Sequence, residues 1–189
     1  MITAAQIAKS IYGAWRLARF DAGGLKFFDN SLEEFWRSFF AAVIVAPMAI
    51  VSVVIHLAEL EASAGPVRIF FVEVVIYVLL WIIFPFIALY IADFIDKGDR
   101  YFRYIAARNW AIVLQVALLL VLALLNQMEI IGRGLVITLT MAANILILIY
   151  QWFITRAALE VSTRAAVAIV FLDLMIRIIL NSTTISMIQ

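Results

Sequence analysis

Five long apolar runs, separated by short charged connections, account for most of this 189-residue chain. A helix that crosses a bilayer needs about 20 apolar residues, so five spans use most of the sequence. What is left over suffices for loops and one N-terminal segment, not for a second folded domain. With 67% hydrophobic and 14% charged residues, the chain carries more apolar surface than a water-soluble domain of this size can bury, since ordinary globular chains are close to half apolar. The expected fold is therefore all-α. It is a polytopic membrane protein with a short amphipathic helix in residues 1–38 and a five-helix transmembrane domain in 39–189. The spans are expected at about 39–58, 67–92, 110–128, 135–154 and 165–180.

The hydroxyl of Thr3 stands three residues before Gln6, the spacing of a capping box. Ile7, Ile11, Trp15 and Ala18 follow at helical spacing, with Lys9 and Arg16 on another side and Gly23-Gly24 closing the pattern. Two placements fit this pattern equally. The helix can lie on the membrane with its bases toward anionic headgroups, or pack on the protein's own cytoplasmic face. Ser31-Leu-Glu-Glu34 is a second box and opens a helix that runs through Trp36 and Arg37 into the bilayer. The scattered bases of the first 20 residues do not form the basic stretch and apolar core of a cleavable signal peptide.

The basic residues orient the chain. Lys9, Arg16, Arg19, Lys26 and Arg37 precede the first span, Lys97, Arg100, Arg103 and Arg108 lie in the second connection, and Arg156 and Arg164 lie in the fourth. Only Arg68 and Arg133 fall on the opposite side, so the positive-inside rule places the N-terminus in the cytoplasm and the C-terminus outside. In a bacterium this is the inner membrane. Lys9, Trp15, Arg16, Arg19, Trp36, Arg37, Arg100, Arg103 and Arg108 are expected at the interface, in contact with lipid.

Within the spans, Asp173 and Arg177 are four residues apart and share a helix face, where they can pair. Glu73, Gln115 and Asn144 are further polar groups inside spans. These side chains either converge on a polar pathway or make separate interhelical hydrogen bonds. Pro47 and Pro85 lie at matching depth, about 12 Å from the cytoplasmic ends of their helices at 1.5 Å per residue. Each removes a backbone hydrogen bond, so the pair marks either a cytoplasmic cleft or two independent kinks. His56, the only histidine, is expected as an interfacial side chain.

Several function classes are excluded or disfavoured. The chain has no cysteine, hence no disulfide, thiolate metal site or cysteine nucleophile. A net charge of +1 gives no basic field for nucleic acid. Nucleophile elbows, phosphate loops and zinc-helix motifs are missing, so no catalytic, cofactor or metal residue is assigned and a non-enzymatic role is expected. Membrane lipids, a membrane-protein partner or further copies of the chain are the expected partners.

Five spans with an N-terminal cytoplasmic segment resemble the Yip family of small membrane proteins. The stretch Tyr77–Arg108 resembles its bacterial members: a proline-interrupted span, the aromatic-basic connection Tyr101-Phe-Arg-Tyr104, then Arg108-Asn-Trp110 opening the next helix. The Asp-Leu-Tyr-Gly-Pro signature of the eukaryotic members has no counterpart, and Ile11-Tyr-Gly-Ala-Trp15 departs from it. The resemblance implies a non-enzymatic role in membrane organisation and transfers no functional residue. Two functions are expected from these features: a membrane scaffold or accessory subunit, or a small oligomeric channel or transporter with a pathway near Glu73, Asp173 and Arg177.

Overall fold

A computed structural model describes residues 2–59, 64–130 and 132–188, with no side-chain description for 56–59. Helix is the only extended regular structure among the described residues. The elements are α1 (Ala4–Ala18), α2 (Leu32–Ser38), α3 (Phe40–Glu59), α4 (Pro66–Phe94), α5 (Tyr101–Gln127), α6 (Arg133–Leu159) and α7 (Thr163–Ile188), with a 3-10 turn over Ala22–Phe27. Five segments are long and apolar enough to cross a membrane: Leu32–Ile55, Pro66–Phe94, Gly98–Gln127, Arg133–Leu159 and Thr163–Ile188. They present large apolar side chains outward, including Val43, Phe70, Phe86, Ile145 and Phe171. Lipid is the solvent for such a surface, and this is the architecture of an integral membrane protein. The expected side chain of His56 and residues 60–63 of the expected 59–66 connection lie outside the described residues.

Both helix starts at the N-terminus follow the chain's local chemistry. The main-chain N–H of Thr3 donates to Gln6 Oε1 at 2.8 Å, and Gln6 N–H donates to Thr3 Oγ1 at 3.2 Å, which completes the capping box. Ser31 accepts from the Glu34 N–H at 3.2 Å, while the Glu34 carboxylate turns to Arg37 at 3.2 Å. The helix ends use left-handed residues in place of glycine: Phe20, Asp96, Glu129 and Glu160 have φ of 59°, 56°, 52° and 50°. Three of these four are polar or acidic residues at exposed corners.

α1 packs on the bundle, against α5 and α6. Its buried stripe is Ser10, Gly13, Ala14 and Leu17, not the Ile7–Ile11–Trp15–Ala18 stripe, and Trp15 is exposed. Small residues let this helix come close. A Cβ on Gly24 would lie 2.6 Å from the Gly13 carbonyl oxygen, and one on Gly13 would lie 2.8 Å from Phe27 Cβ. Gly23-Gly24 is thus more than a turn signal, because Gly24 seats the 3-10 turn on α1. The Tyr150 hydroxyl of α6 donates to the Ala14 carbonyl at 2.7 Å and fastens the helix.

The second connection is shorter than 93–109. α5 begins at Tyr101 and α6 continues to Leu159, so α5 extends about two and a half turns beyond its expected span and α6 about one and a half. That extension is stable because α1 and α2 cover it. Tyr101, Tyr104 and the unbroken run Ile105–Val113 are buried. Around the α2–α5 contact, Phe35 meets Phe39 at 5.2 Å and Phe102 at 5.7 Å, edge to face. Such pairs add to simple area burial.

The two proline helices pack mainly on different partners. α3 packs along α5 and α4 packs along α7. Pro47 is exposed and Pro85 is buried, so the two rings face different surroundings. The Pro85 carbonyl accepts the Tyr101 hydroxyl at 2.8 Å, and the Tyr77 hydroxyl reaches from α4 to the Ala42 carbonyl of α3 at 2.5 Å. The prolines loosen two helices separately, and tyrosines from neighbouring elements bond to the backbone close by.

Candidate functional site

An acid in the middle of a membrane helix needs a cation or a protonated form. For Asp173 the cation comes from two helices. Its Oδ1 accepts from Arg108 Nη2 of α5 at 2.7 Å, and its Oδ2 accepts from Arg177 Nε, one turn along α7, at 3.2 Å. The side chains of Arg108 and Asp173 are 1% and 9% exposed, while that of Arg177 is 35% exposed. The Arg108 guanidinium also lies over the Phe84 ring of α4, 4.1 Å from its centroid, a cation–π contact strengthened by the absence of water. One buried cluster therefore ties α4, α5 and α7 together.

The expected Asp173–Arg177 pair forms, and Arg108 is its third member. Arg108 was expected at the lipid interface. It is instead the most buried cation of the described chain, because α5 starts about two and a half turns earlier and carries residue 108 into the core. Its Nε and Nη1 have no protein acceptor. The cluster holds two cations and one anion.

A second set of polar groups joins α5 to α6. Tyr104, Arg108 and Gln115 recur at i, i+4 and i+11, which is one face of α5. The Tyr104 hydroxyl lies 3.2 Å from Thr155 Oγ1, which donates to the Gln151 carbonyl at 2.8 Å. Gln151 Nε2 donates to Gln115 Oε1 at 3.1 Å. On the next face, Asn109 Nδ2 donates to Ser38 Oγ at 3.0 Å, and Ser38 Oγ donates to the Phe35 carbonyl at 2.7 Å. These bonds satisfy groups that lipid cannot, while Asn109 Oδ1 and Gln115 Nε2 have no protein partner among the described residues.

Of the other polar side chains expected inside spans, Asn144 does not join. It is exposed, and its Nδ2 donates to the Thr140 carbonyl of its own helix at 2.8 Å. Glu73 is half-buried on α4. Gln115 and Asp173 thus lie in two compact clusters on α5, and Asn144 lies in neither. Sequence reasoning missed Arg108, Tyr104, Ser38, Gln151 and Thr155. The i, i+4, i+11 recurrence on α5 was the available signal, hidden by assigning residues 101–109 to a loop.

At the end of the bundle covered by α1, three of the expected interfacial bases, Arg16, Arg37 and Arg100, pair with acids. Arg16 Nε donates to Asp21 at 2.6 Å, Arg37 pairs with Glu33 and Glu34, and Arg100 pairs with Glu160 of α6. The hydrogen bond from Arg16, and after it that from the Gly23 N–H, hold the Asp21 carboxyl below its ordinary range. Lys9, Arg19 and Trp36 are exposed, and Arg103 is half-buried. Asn30 Oδ1 accepts the Arg103 N–H at 3.1 Å, which clips the loop before α2 to the start of α5.

No family model, curated protein or solved structure matches this chain.

Proposed function

We propose that the protein is a non-enzymatic integral membrane scaffold or accessory subunit that acts through lipid and membrane-protein contacts. The observation that carries this reading is that the core acid and amides bond from helix to helix. Both Asp173 oxygens are held by arginines, and Gln115 is bonded to Gln151. Groups so arranged brace helices against one another. The positive-inside rule supports an N-in, C-out orientation in a bacterial inner membrane, with the α1-covered end in the cytoplasm. The Yip-like stretch Tyr77–Arg108 accords with a role in membrane organisation. Crosslinking in native membranes, followed by mass spectrometry, tests the reading. Reproducible membrane-protein neighbours, or contacts between copies, are expected, and a chain crosslinked to nothing overturns it.

One observation favours a second reading, a small oligomeric channel or transporter. The unpartnered Nε and Nη1 of Arg108 lie beside the partly exposed Arg177, so an entering anion would meet donors from two helices. Reconstituted vesicles assayed for proton and chloride flux decide between the two. Flux abolished by Asp173→Asn establishes transport, and the same background leak in both proteins leaves the scaffold.

A further inference from the structure

The outer seam of α6 and α7 carries a groove of about 350 Å³. Leu148 and Trp152 of α6 form one wall, and Thr163, Val167, Phe171 and Leu174 of α7 form the other. The lining is almost wholly apolar, and its polar features gather at the α1-covered end. There the Trp152 indole N–H is buried without a protein acceptor. The exposed Arg156 guanidinium lies over the Trp152 ring, 5.6 Å from its centroid. Arg164 follows Thr163 in the first turn of α7 and is also exposed. Neither arginine has a carboxylate partner among the described residues, and the nearby Glu160 is taken by Arg100.

The seam is thus amphipathic along its length, with an apolar slot below and two free cations and an indole donor above. Tryptophan and arginine at one level mark the headgroup depth of a leaflet. A helix, about 10–12 Å across with its side chains, would ride over a slot of this size, whereas one extended hydrocarbon chain fits into it. We propose that the α6–α7 seam binds a single anionic glycerophospholipid from the surrounding leaflet, with an acyl chain between Trp152 and Phe171 and its phosphate on Arg156 and Arg164. This deepens the lipid-contact part of the scaffold reading and rests on it for the membrane setting alone.

Native mass spectrometry of the full chain tests the site, with phosphatidylglycerol and phosphatidylcholine of identical acyl chains added separately. One tightly retained phosphatidylglycerol per chain is expected, at least tenfold preferred over phosphatidylcholine. The double variant Arg156→Gln/Arg164→Gln should lose that preference, and Val167→Trp, which fills the slot and leaves the charges, should lose retention. Arg68→Gln, at the other end of the bundle, should behave as the parent. Brominated phosphatidylglycerol should quench parent tryptophan emission more than that of Trp152→Phe, a readout independent of the arginine variants. Equal retention of the two lipids, retention unchanged by the double variant, or a groove occupied by a second copy in place of lipid each overturn the proposal. Missing protein partners would sink the scaffold reading and leave this result standing.

Discussion

The two ends of this bundle are built differently. At the end covered by α1, the α5 run Ile105–Val113 is buried without interruption, and tyrosines, Asn109 and Arg108 cross-bond neighbouring elements. Toward the other end of the same helix, Gln115 and Leu122 are the only buried residues after Val113, and Val121 and Leu124 face outward. One end is packed like a soluble protein's core, with small residues, aromatic edges and polar bonds holding specific partners. The other, among the described residues, buries fewer side chains of α5 and turns large apolar ones outward, where lipid tails compete on nearly equal terms.

The largest effect should come from the cluster that makes the packed end specific. Asp173→Ala leaves Arg108 buried beside Arg177 without an anion, and breaking such a pair costs about 3–5 kcal/mol. A strong fall in resistance to thermal unfolding in detergent is expected. An unchanged melting point would mean that the two ends do not differ in how they are held. Next in size is the seat of α1. Gly24→Leu forces a side chain into the Gly13 carbonyl, and overpacking of this kind costs about 1–3 kcal/mol. A cysteine placed at Ser10, which is buried in the parent, should then become open to thiol labelling while the five spans stay intact.

Smaller again is Gln151→Leu, which removes the bond to Gln115 and should cost about 1 kcal/mol. Asn144→Leu, on the exposed side of the same helix, should stay within about 0.5 kcal/mol of the parent. Equal effects in paired unfolding curves would erase the contrast between buried and lipid-facing polar groups. The smallest effect is a pH response at the exposed corner of α1. Asp21 is depressed by Arg16, so its contribution is present above the ordinary aspartate range and is lost as pH falls through its lowered value. Trp15 emission should therefore change only under strong acidification, and Asp21→Asn should remove the change.

Much of this architecture was legible in one dimension. The capping box at Thr3 and Gln6 and the number of spans each rest on residues close in sequence. The i, i+4 pair of Asp173 and Arg177 is local for the same reason. Arg108 was not legible in this way. Its flanking bases and aromatics have the composition of an interfacial loop, and only coverage by α1 and α2 makes that stretch a buried helix. The face of α1 was missed for a related reason. Hydropathy favours Ile7 and Trp15, whereas close approach to another helix favours Ser10, Gly13 and Ala14.

The sequence by itself determined that the chain is helical and bilayer-sized in five places, because each decision depends on hydrophobicity summed over about 20 neighbouring residues. Tertiary structure alone decided which polar groups meet. Arg108 and Asp173 are 65 residues apart, and Tyr150 and Ala14 are 136 apart. The burial that makes such bonds worth forming exists only after the helices have packed.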